Sequence, residues 1–363
     1  MATAIAAVTM GVCACRSVGG VVTEASQSLY VRNDTDRTTI VSPRSQLSAA
    51  VAENLQLQAS YAVDVWTGAS IDVRTAATAA IHETRHEVGI GGAYSLAETT
   101  VTTRYRYSIE PDYVSHGGVL GVTSDFAQRN TTLSMFVFGG HDTVGRANDP
   151  SFGETLDSLG GRVGISQVLH EGALARVGYE ATALSGFQAS VYRWVGVGSE
   201  GTCASLSPFC VPEKVPNGRT RRAATGGVRQ ALGKAVSLDL DYRFYFDSWG
   251  VRSQTLTPSL TLLPNEAVQV TLDYRYYTQN GADFYRPRYF DLQSSGGHVT
   301  RDRKLSAQYS QRAGIAVVYR IPAGPRRLVA GLRTSVTRID YRAFVGLEHV
   351  YAIEASGFIG LER

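Results

Sequence analysis

The sequence predicts an all-β protein: a closed antiparallel transmembrane β-barrel of about sixteen strands, with short periplasmic turns and longer extracellular loops. Three observations lead to this prediction. Apolar and polar residues alternate along many segments, as they do in strands that have one apolar face. The longest weakly polar run, residues 2–15, is shorter than the roughly 20 residues that a membrane-spanning helix needs. Short and longer connections follow one another along the chain, as in outer-membrane barrels.

The alternation is clearest in residues 267–277, where valine, leucine and tyrosine oppose glutamine, threonine, aspartate and arginine. Residues 236–246 and 55–65 repeat the pattern. Because successive side chains of a strand point to opposite faces, each segment is expected to have one apolar and one polar face. Weaker copies bring the expected total to about sixteen, an even number as in bacterial barrels. These copies are residues 26–33, 37–49, 84–95, 99–109, 117–127, 131–140, 160–169, 172–183, 220–231, 252–262, 304–320, 328–340 and 349–362.

The connections between these segments fall into two classes. Short turns are expected at Ala52–Asn54, Ala97–Glu98, Gln128–Asn130, Glu171–Gly172, Gly233–Lys234, Asn265–Glu266 and Ala323–Pro325. The longer loops include Thr67–Glu83, His141–Gly160, Ser185–Thr220 and Gln279–Arg303. A chain that places its short turns at one end of the strands and its longer loops at the other matches the design of an outer-membrane barrel.

A soluble β-sandwich also has alternating strands, so periodicity alone does not separate the two architectures. The aromatic residues favour the barrel, because they lie toward the strand ends that lead into the longer loops, where a barrel carries an aromatic girdle at the membrane interface. These residues are Tyr61, Trp66, Tyr105, Tyr107, Phe136, Phe138, Tyr242, Phe244, Phe246, Trp249, Tyr274 and Tyr276.

If the apolar faces contact lipid, the charged faces line the interior of the barrel. The residues predicted to line this lumen and to select solutes by charge are Asp64, Arg104, Arg106, Asp241, Arg243, Asp273 and Arg275. The arginines could favour anionic solutes or pair internally with aspartates, and the choice depends on the shear of the barrel. The loops 185–220 and 279–303 are long enough to fold inward and constrict the lumen.

The N-terminal residues 1–22 are expected to be a signal or targeting segment, and residues 23–363 a single barrel domain. Cys13 and Cys15 lie in a stretch that loosely resembles a lipoprotein processing site, but Cys at the second position of such a site is unusual, so plain cleavage nearby is expected. Cys203 and Cys210 lie close together in a loop-like stretch, where an exported protein is expected to pair them as a disulfide.

Charge and motifs exclude several other functions. The net charge of +3 is small and the basic residues form no run, so no nucleic-acid partner is expected. His82-Glu83-Thr84-Arg85-His86 matches the H-E-x-x-H zinc pattern, which works only on a helix. On a strand the two imidazoles would lie roughly 13 Å apart. Residues 87–90 already alternate like a strand, so no zinc site is predicted.

The remaining candidate chemistry is weak. Glu110, Asp112 and Asp142 could supply oxygen ligands to Ca²⁺, but no EF-hand or nonapeptide spacing accompanies them, and solvated carboxylates or partners of lumen arginines are expected instead. No serine lies in a nucleophile elbow. The sequence therefore predicts no enzyme, no cofactor and no metal.

Four short motifs resemble a known family: Asp64-Val65-Trp66-Thr67-Gly68-Ala69-Ser70, Glu110-Pro111-Asp112-Tyr113-Val114-Ser115, Asn130-Thr131-Thr132-Leu133 and Tyr242-Arg243-Phe244-Tyr245-Phe246-Asp247-Ser248-Trp249. They are similar to a large family of uncharacterised bacterial proteins, known only as a domain of unknown function and regarded as outer-membrane-type barrels. The similarity runs from about residue 26 to the C-terminus. It implies a location in the cell outer membrane, and it implies no site residues.

The function expected from these observations is that of a porin-like passive conduit, or of the membrane-embedded part of an envelope assembly. Outer-membrane lipid and envelope assembly proteins are the expected partners, and the sequence does not specify a solute. The main alternative is a soluble extracellular β-sandwich that binds glycans through a tyrosine-rich surface. A zinc hydrolase built on His82 and His86 is the third.

Overall fold

Eighteen β-strands make up almost all of the regular structure in the computed structural model, which describes residues 21–68, 81–147, 149–198, 203 and 209–362. Sixteen of them form the barrel: β1 (Val21–Asp34), β2 (Thr38–Ala52), β3 (Leu55–Gly68), β4 (Ile81–Leu96), β5 (Thr99–Glu110), β6 (Tyr113–Phe126), β7 (Thr131–Val144), β8 (Glu154–His170), β9 (Ala173–Gly186), β12 (Gly218–Ala231), β13 (Val236–Asp247), β14 (Arg252–Leu262), β15 (Val268–Gln279), β16 (Gln308–Ala323), β17 (Arg326–Tyr341) and β18 (His349–Glu362). A two-stranded hairpin, β10 (Trp194–Gly196) and β11 (Cys210–Pro212), lies between β9 and β12. Single 3₁₀ turns occur at Gln293–Ser295 and Arg303–Leu305.

Each barrel strand pairs antiparallel with its neighbours in sequence, except that β9 pairs with β12 across the inserted hairpin. Strand β1 pairs with β18, which closes the sheet. Closure leaves every barrel strand with two partners, so the backbone hydrogen bonds are satisfied within the sheet, as hydrocarbon requires. The predicted barrel of sixteen strands is confirmed. The alternative β-sandwich is wrong, because a sandwich needs two separate sheets packed face to face.

The strand boundaries follow the alternation closely, and the differences have local causes. Residues 252–262 and 349–362 bound strands as predicted. The strand expected at 304–320 begins at Gln308, because Arg303–Leu305 forms a 3₁₀ turn whose first turn is capped by Asp302. Strand β1 already includes Val21 and Val22, which the sequence analysis assigned to the targeting segment. The rest of that segment, and with it Cys13 and Cys15, lies outside the described residues.

The two faces of the barrel differ in polarity. Large apolar side chains are exposed on the outer face, among them Leu159 (65% exposed), Ile353 (62%) and Leu332 (61%). An exposed apolar surface this extensive is unfavourable in water and suits contact with lipid acyl chains. No helix among the described residues is long and apolar enough to cross a membrane.

The aromatic girdle differs from the prediction. Eight of the twelve expected members alternate with the inner charged residues and therefore face outward: Tyr61, Tyr105, Tyr107, Tyr242, Phe244, Phe246, Tyr274 and Tyr276. Trp66 shares the inner face with Asp64, and Phe136 and Phe138 also point inward, where their rings lie over Gly121 and Gly160. Trp249 is buried among the loops. Exposed Tyr94, Phe126 and Tyr319 form a second group near the short turns that the sequence analysis missed.

The hydrophobic core lies among the loops at one end of the barrel and not between the barrel strands. One buried cluster joins the loops after β9, β13, β15 and β17, and its members are Val215, Trp249, Val251, Ala282, Phe284, Tyr285, Leu305 and Phe344. A smaller cluster consists of Val195, Tyr289 and Val299. The buried apolar residues of the barrel strands are small by comparison, chiefly alanine and valine. The chain therefore packs its loops, rather than the barrel interior, with large apolar side chains.

Candidate functional site: the barrel interior and the loop cap

The inner face of the barrel is mainly polar, with Trp66, Phe136 and Phe138 as aromatic exceptions. It is identified by alternation with the exposed apolar residues and by the strand register, which carries one face continuously from strand to strand. Strand β14 shows the pattern plainly, because it presents only hydroxyls to the interior: Ser253, Thr255, Thr257, Ser259 and Thr261. Such a wall favours water and polar solutes over apolar ones.

The inner wall has an excess of positive charge in one half and an excess of negative charge in the other. Along the described strands β8 to β17, eleven inward arginines face six carboxylates. The arginines are Arg162, Arg176, Arg219, Arg221, Arg229, Arg243, Arg275, Arg312, Arg320, Arg327 and Arg333, and the carboxylates are Glu154, Glu180, Asp239, Asp241, Asp247 and Asp273. We call this sector the basic half.

The remaining strands, β18 and β1 to β7, have the opposite balance, with ten inward carboxylates and five arginines in the described part of the chain. The carboxylates are Glu24, Asp34, Asp64, Glu83, Glu87, Glu110, Asp125, Asp142, Glu354 and Glu362, and the arginines are Arg32, Arg44, Arg85, Arg104 and Arg106. We call this sector the acidic half. Because the two halves face each other across the barrel, the interior carries a transverse electric field.

Two carboxylates in the basic half are each shared by two arginines. Asp239 accepts from Arg176 (2.5 Å) and from Arg229 (2.6 Å). Asp273 accepts from Arg312 at 2.8 Å and from Arg333 at 2.5 Å. Because one carboxylate neutralises only one of its two arginines, each of these groups keeps a net positive charge although every arginine in it has a partner.

A cavity of about 430 Å³ opens against the basic half. It is lined from seven strands, β7 to β9 and β12 to β15, and only the concave side of a closed barrel brings that many strands to one space. Its charged lining residues are Arg162, Arg176, Asp241, Arg243 and Arg275. Hydroxyls of Ser134, Ser166, Thr225, Thr255 and Thr257 complete the polar part of the lining.

The structure places all seven sequence-predicted lumen residues on the inner face, and their contacts differ. Asp64 accepts from Arg85 Nε at 3.0 Å, Arg104 donates to Ser60 at 3.1 Å, and Arg106 lies 3.7 Å from Glu87. Asp241 accepts from Arg176 at 2.8 Å, and Asp273 belongs to the shared set above. The guanidiniums of Arg243 and Arg275 lie over the rings of Tyr245 and Tyr277, at 5.4 and 5.3 Å.

Sequence reasoning missed most of the partners of these residues. Arg85, Arg176, Arg312 and Arg333 lie on strands whose alternation is less regular, and the pairing depends on register. One signal was available: Asp64 and Arg85 lie directly opposite each other once β3 and β4 are paired from the ends that their long connecting loop joins, Gly68 and Ile81.

The loops at the other end of the strands from the short turns form a packed structure, which we call the loop cap. It consists of residues 187–198 and 209–217, with the hairpin β10–β11, and of residues 280–307. Backbone bridges join its two parts, antiparallel between Lys214 and Val299 and parallel between Val197 and Tyr289. The cap is therefore a second structural unit built from loops that were expected only to constrict the lumen.

Contacts from the loop cap reach several parts of the rim. Tyr192 donates to Asp112 in the β5–β6 turn. Arg303 donates to Asp36, in the β1–β2 turn, at 2.5 Å. Arg301, fully buried, donates to the carbonyl of Val345 after β17 at 3.2 Å. These turns lie at widely separated positions around the barrel, so the described loops bridge the mouth rather than stand beside it.

Buried charges order the interior of the loop cap. Glu213 accepts from both Arg193 and Thr300, which ties the hairpin to the β15–β16 loop. Burial disfavours the ionised carboxyl of Asp302, but Arg193 and the backbone N–H of Lys304 outweigh it, and they hold the Asp302 pKa below its usual range. Burial and the hydrogen bond to Asp112 raise the pKa of Tyr192. These groups hold their charge states at neutral pH.

Cys203 and Cys210 form a disulfide, with their Cα atoms 5.9 Å apart. Cys203 is buried, and Cys210 begins β11. The bond joins the connection between β10 and β11, where Cys203 lies, to the first residue of β11, which pairs with Gly196.

The remaining sequence motifs are resolved by the strand assignment. His82 to His86 lie within β4, so the backbone is extended and does not bring two imidazoles to one metal. His86 accepts or donates a hydrogen bond with the Tyr61 hydroxyl at 2.9 Å. Asp112 and Asp142 bind tyrosine hydroxyls, from Tyr192 and Tyr113. No group of three metal-ligating side chains occurs within the described ranges.

Comparisons with known proteins agree with the fold. Residues 153–332 match the model of a family described as "Protein of unknown function (DUF3570)". The match includes the Tyr242–Trp249 motif and excludes the other three, so the predicted resemblance is confirmed over a shorter range than expected. No sequence among the curated proteins matches the chain.

Among solved structures, a bacterial polysaccharide outer membrane secretin is similar, with a TM-score of 0.55 and 8% identity over 93% of this chain and 98% of that chain. CdiB from Acinetobacter baumannii is similar with a TM-score of 0.50 and 9% identity, over 93% of this chain and 60% of that chain. At such identities the likeness concerns the fold alone. The chain is an outer-membrane β-barrel, and its residues 153–332 are similar to the DUF3570 family.

Proposed function

We propose that the protein is a passive conduit for small hydrophilic solutes across the outer membrane, with its loop-side mouth narrowed by the loop cap. The observation that carries the proposal is the location of the large buried apolar side chains, which lie in the cap while the barrel interior is lined mainly by charged and hydroxyl side chains. A barrel that serves only as an anchor has no need of a wall of hydroxyls and charges.

Accessible charges on the inner wall support a water-filled interior. The Arg106 side chain is 50% exposed and that of Asp241 is 54% exposed, although both face inward. Sixteen strands enclose a lumen wide enough for an aqueous channel. In this proposal the residues that line the water-filled lumen are Asp64, Arg104, Arg106, Asp241, Arg243, Asp273 and Arg275.

Swelling of proteoliposomes tests the proposal. The full chain, purified in detergent and shown to be folded by heat-modifiable migration on gels, is reconstituted and diluted into isotonic solutions of neutral sugars of increasing size. We expect swelling whose rate falls steeply with sugar size, because the cap narrows the mouth. Vesicles that swell no faster than protein-free vesicles would contradict a conduit.

A role as the membrane-embedded part of an envelope assembly is the second candidate. It is favoured by two aromatic side chains that the loop cap leaves exposed, Phe209 (62%) and Phe290 (72%), because exposed aromatic surface often marks a protein contact. Site-specific photo-crosslinking from position 290 in intact cells should then give one defined adduct with an envelope protein. Absence of any adduct at 290 and 209 would count against an assembly role.

A further inference from the structure

Six inward arginines of the basic half have no carboxylate within ion-pair distance in the described part of the chain: Arg162, Arg221, Arg243, Arg275, Arg320 and Arg327. Arg162, Arg243 and Arg275 line the cavity, and Arg243 and Arg275 lie on either side of β14. No acidic side chain in the described part of the chain lies within ion-pair distance of Arg243 or Arg275. The register places Arg275 directly opposite Arg312, and like charges in that arrangement repel. Guanidiniums without carboxylate partners on one wall repel each other, and a bound anion would offset this repulsion.

The nearby carboxylates are already engaged. Asp241 accepts from Arg176, and Asp273 accepts from Arg312 and Arg333. Asp247 accepts from Arg219 and from the Tyr245 hydroxyl. Rearrangement within the wall therefore does not supply a counter-ion to Arg243 or Arg275 without exposing another arginine.

Glu180 is the one inward carboxylate near the cavity without an ion pair among the described contacts, and it lies opposite Arg162 in the register. It lines a neighbouring space of about 270 Å³ together with Arg219, Arg221 and Arg243. One carboxylate beside these three arginines leaves a net positive charge on this part of the wall.

The space between the two arginines is shaped for an oxyanion. Arg243 on β13 and Arg275 on β15 are separated by β14 and offset by two residues in the register, so their backbones lie roughly 12 Å apart. Thr255 lies between them, opposite Arg243 in the register, and Thr257 follows on the same face. Guanidinium groups bind phosphate and sulfate through paired N–H donors, and threonine hydroxyls add further donors.

We propose that this wall, centred on Arg243 and Arg275 with Thr255 and Thr257, is a binding site for a phosphate- or sulfate-type oxyanion carried by a small solute. The inference deepens the proposed conduit function by naming the class of solute, and it rests on that function only for the route by which the solute arrives. The site itself is present whether or not the cap allows passage.

Calorimetry on the full chain in detergent tests the site directly, with pyrophosphate and inorganic sulfate as probes. We expect saturable binding of at least one probe to the wild-type chain. The double variant Arg243→Gln/Arg275→Gln should weaken that binding by at least about tenfold, since it removes the charge-assisted hydrogen bonds of both guanidiniums. Arg44→Gln is the matched control, because Arg44 also faces the interior but lies in the acidic half. Its affinity should equal that of the wild type.

The outcomes separate this site from the conduit. Heat-modifiable migration first confirms that each variant is folded. Absence of saturable binding by both probes, or equal affinity in the wild type and the double variant, would overturn the oxyanion site even if sugars pass through the barrel. Binding that the double variant loses and Arg44→Gln retains would support the site, even if the swelling assay shows no passage.

Discussion

At the scale of single residues, the charge of the inner wall depends on how carboxylates are shared. Asp239 neutralises parts of two arginines, and Asp273 does the same for two others. The Asp239 and Asp273 side chains are nearly buried, but their arginine partners are 25–56% exposed, so water screens each pair from the arginine side and we expect it to stabilise the fold by only about 1 kcal/mol. Their main effect is therefore on the electric field inside the barrel.

Replacement of Asp239 by asparagine should change selectivity more than stability. The substitution removes one negative charge and leaves Arg176 and Arg229 without their shared partner. We expect the reversal potential in a salt gradient to move toward the chloride equilibrium potential, with the free energy of unfolding lowered by about 1 kcal/mol or less. Asp340→Asn is the control, because Asp340 lies on the outer face near the rim. A shift of equal size in both variants would contradict this account.

Individual residues also mark the limit of sequence-based prediction. The inward position of Asp64, Arg243 and Asp273 follows from alternation alone, which needs no knowledge of neighbours. Their partners do not, because a pair such as Asp273 and Arg333 spans two strands and depends on register. Trp249 was assigned to the girdle because it follows an alternating run. Asp247 ends that run by accepting hydrogen bonds from the backbone of Trp249 and Val251, which turns the chain into the cap.

At the scale of structural elements, the strands were predictable and the loop cap was not. A strand can be predicted because its apolar and polar residues alternate with a period of two. The cap is stabilised instead by contacts between loops that are far apart in sequence. The bridge between Lys214 and Val299 and the bond from Arg303 to Asp36 leave no local pattern. The sequence predicted that these loops lie at the mouth of the lumen, but it did not predict that they share a hydrophobic core.

Substitution of Trp249 by alanine should loosen the loop cap and leave the barrel intact. Trp249 is buried, its Nε1 donates to the Gly218 carbonyl, and its ring packs edge-on against Phe284. Loss of a buried tryptophan costs about 3–5 kcal/mol. Limited proteolysis should then cleave within 187–217 and 280–307 while heat-modifiable migration persists. Phe290→Ala, which alters an exposed residue of the same cap, should show wild-type cleavage.

Removal of the disulfide should have a smaller and more local effect. The bond closes a short loop, with a sequence separation of 7, so it is expected to contribute about 2.5 kcal/mol. The double variant Cys203→Ser/Cys210→Ser should expose the hairpin to protease at lower denaturant concentration than the wild type. Alkylation of the unreduced, denatured protein provides a separate check, because reaction at both cysteines would show that they are unpaired.

The loop cap should also lose stability in acid. The folded-state pKa of Asp302 lies below its usual value of about 4, so its stabilising contribution is present at pH values above 4. That contribution is lost as the pH falls through the lowered folded-state value. Hydrogen exchange of residues 280–307 should be unchanged between pH 5 and 8, after correction for the intrinsic rate, and should increase below about pH 4. An increase between pH 6 and 8 would mean that another group controls the cap.

At the scale of the whole molecule, two features define the protein: a barrel whose interior is divided into a basic and an acidic half, and a cap that bridges its mouth. The balance between the halves predicts weak overall ion selectivity, because anions and cations each find a favourable wall. The division was not apparent from the sequence, since the net charge of the chain is only +3. It emerges when alternation and strand order are combined.

Single-channel recording of the wild-type chain in a planar bilayer, under a salt gradient, tests the conduit most directly. We predict stable current steps with a reversal potential close to zero, and larger steps for Trp249→Ala because its cap is loosened. A folded wild-type barrel that carries no current, together with an equally silent Trp249→Ala variant, would contradict a water-filled conduit and leave the assembly role as the function to pursue.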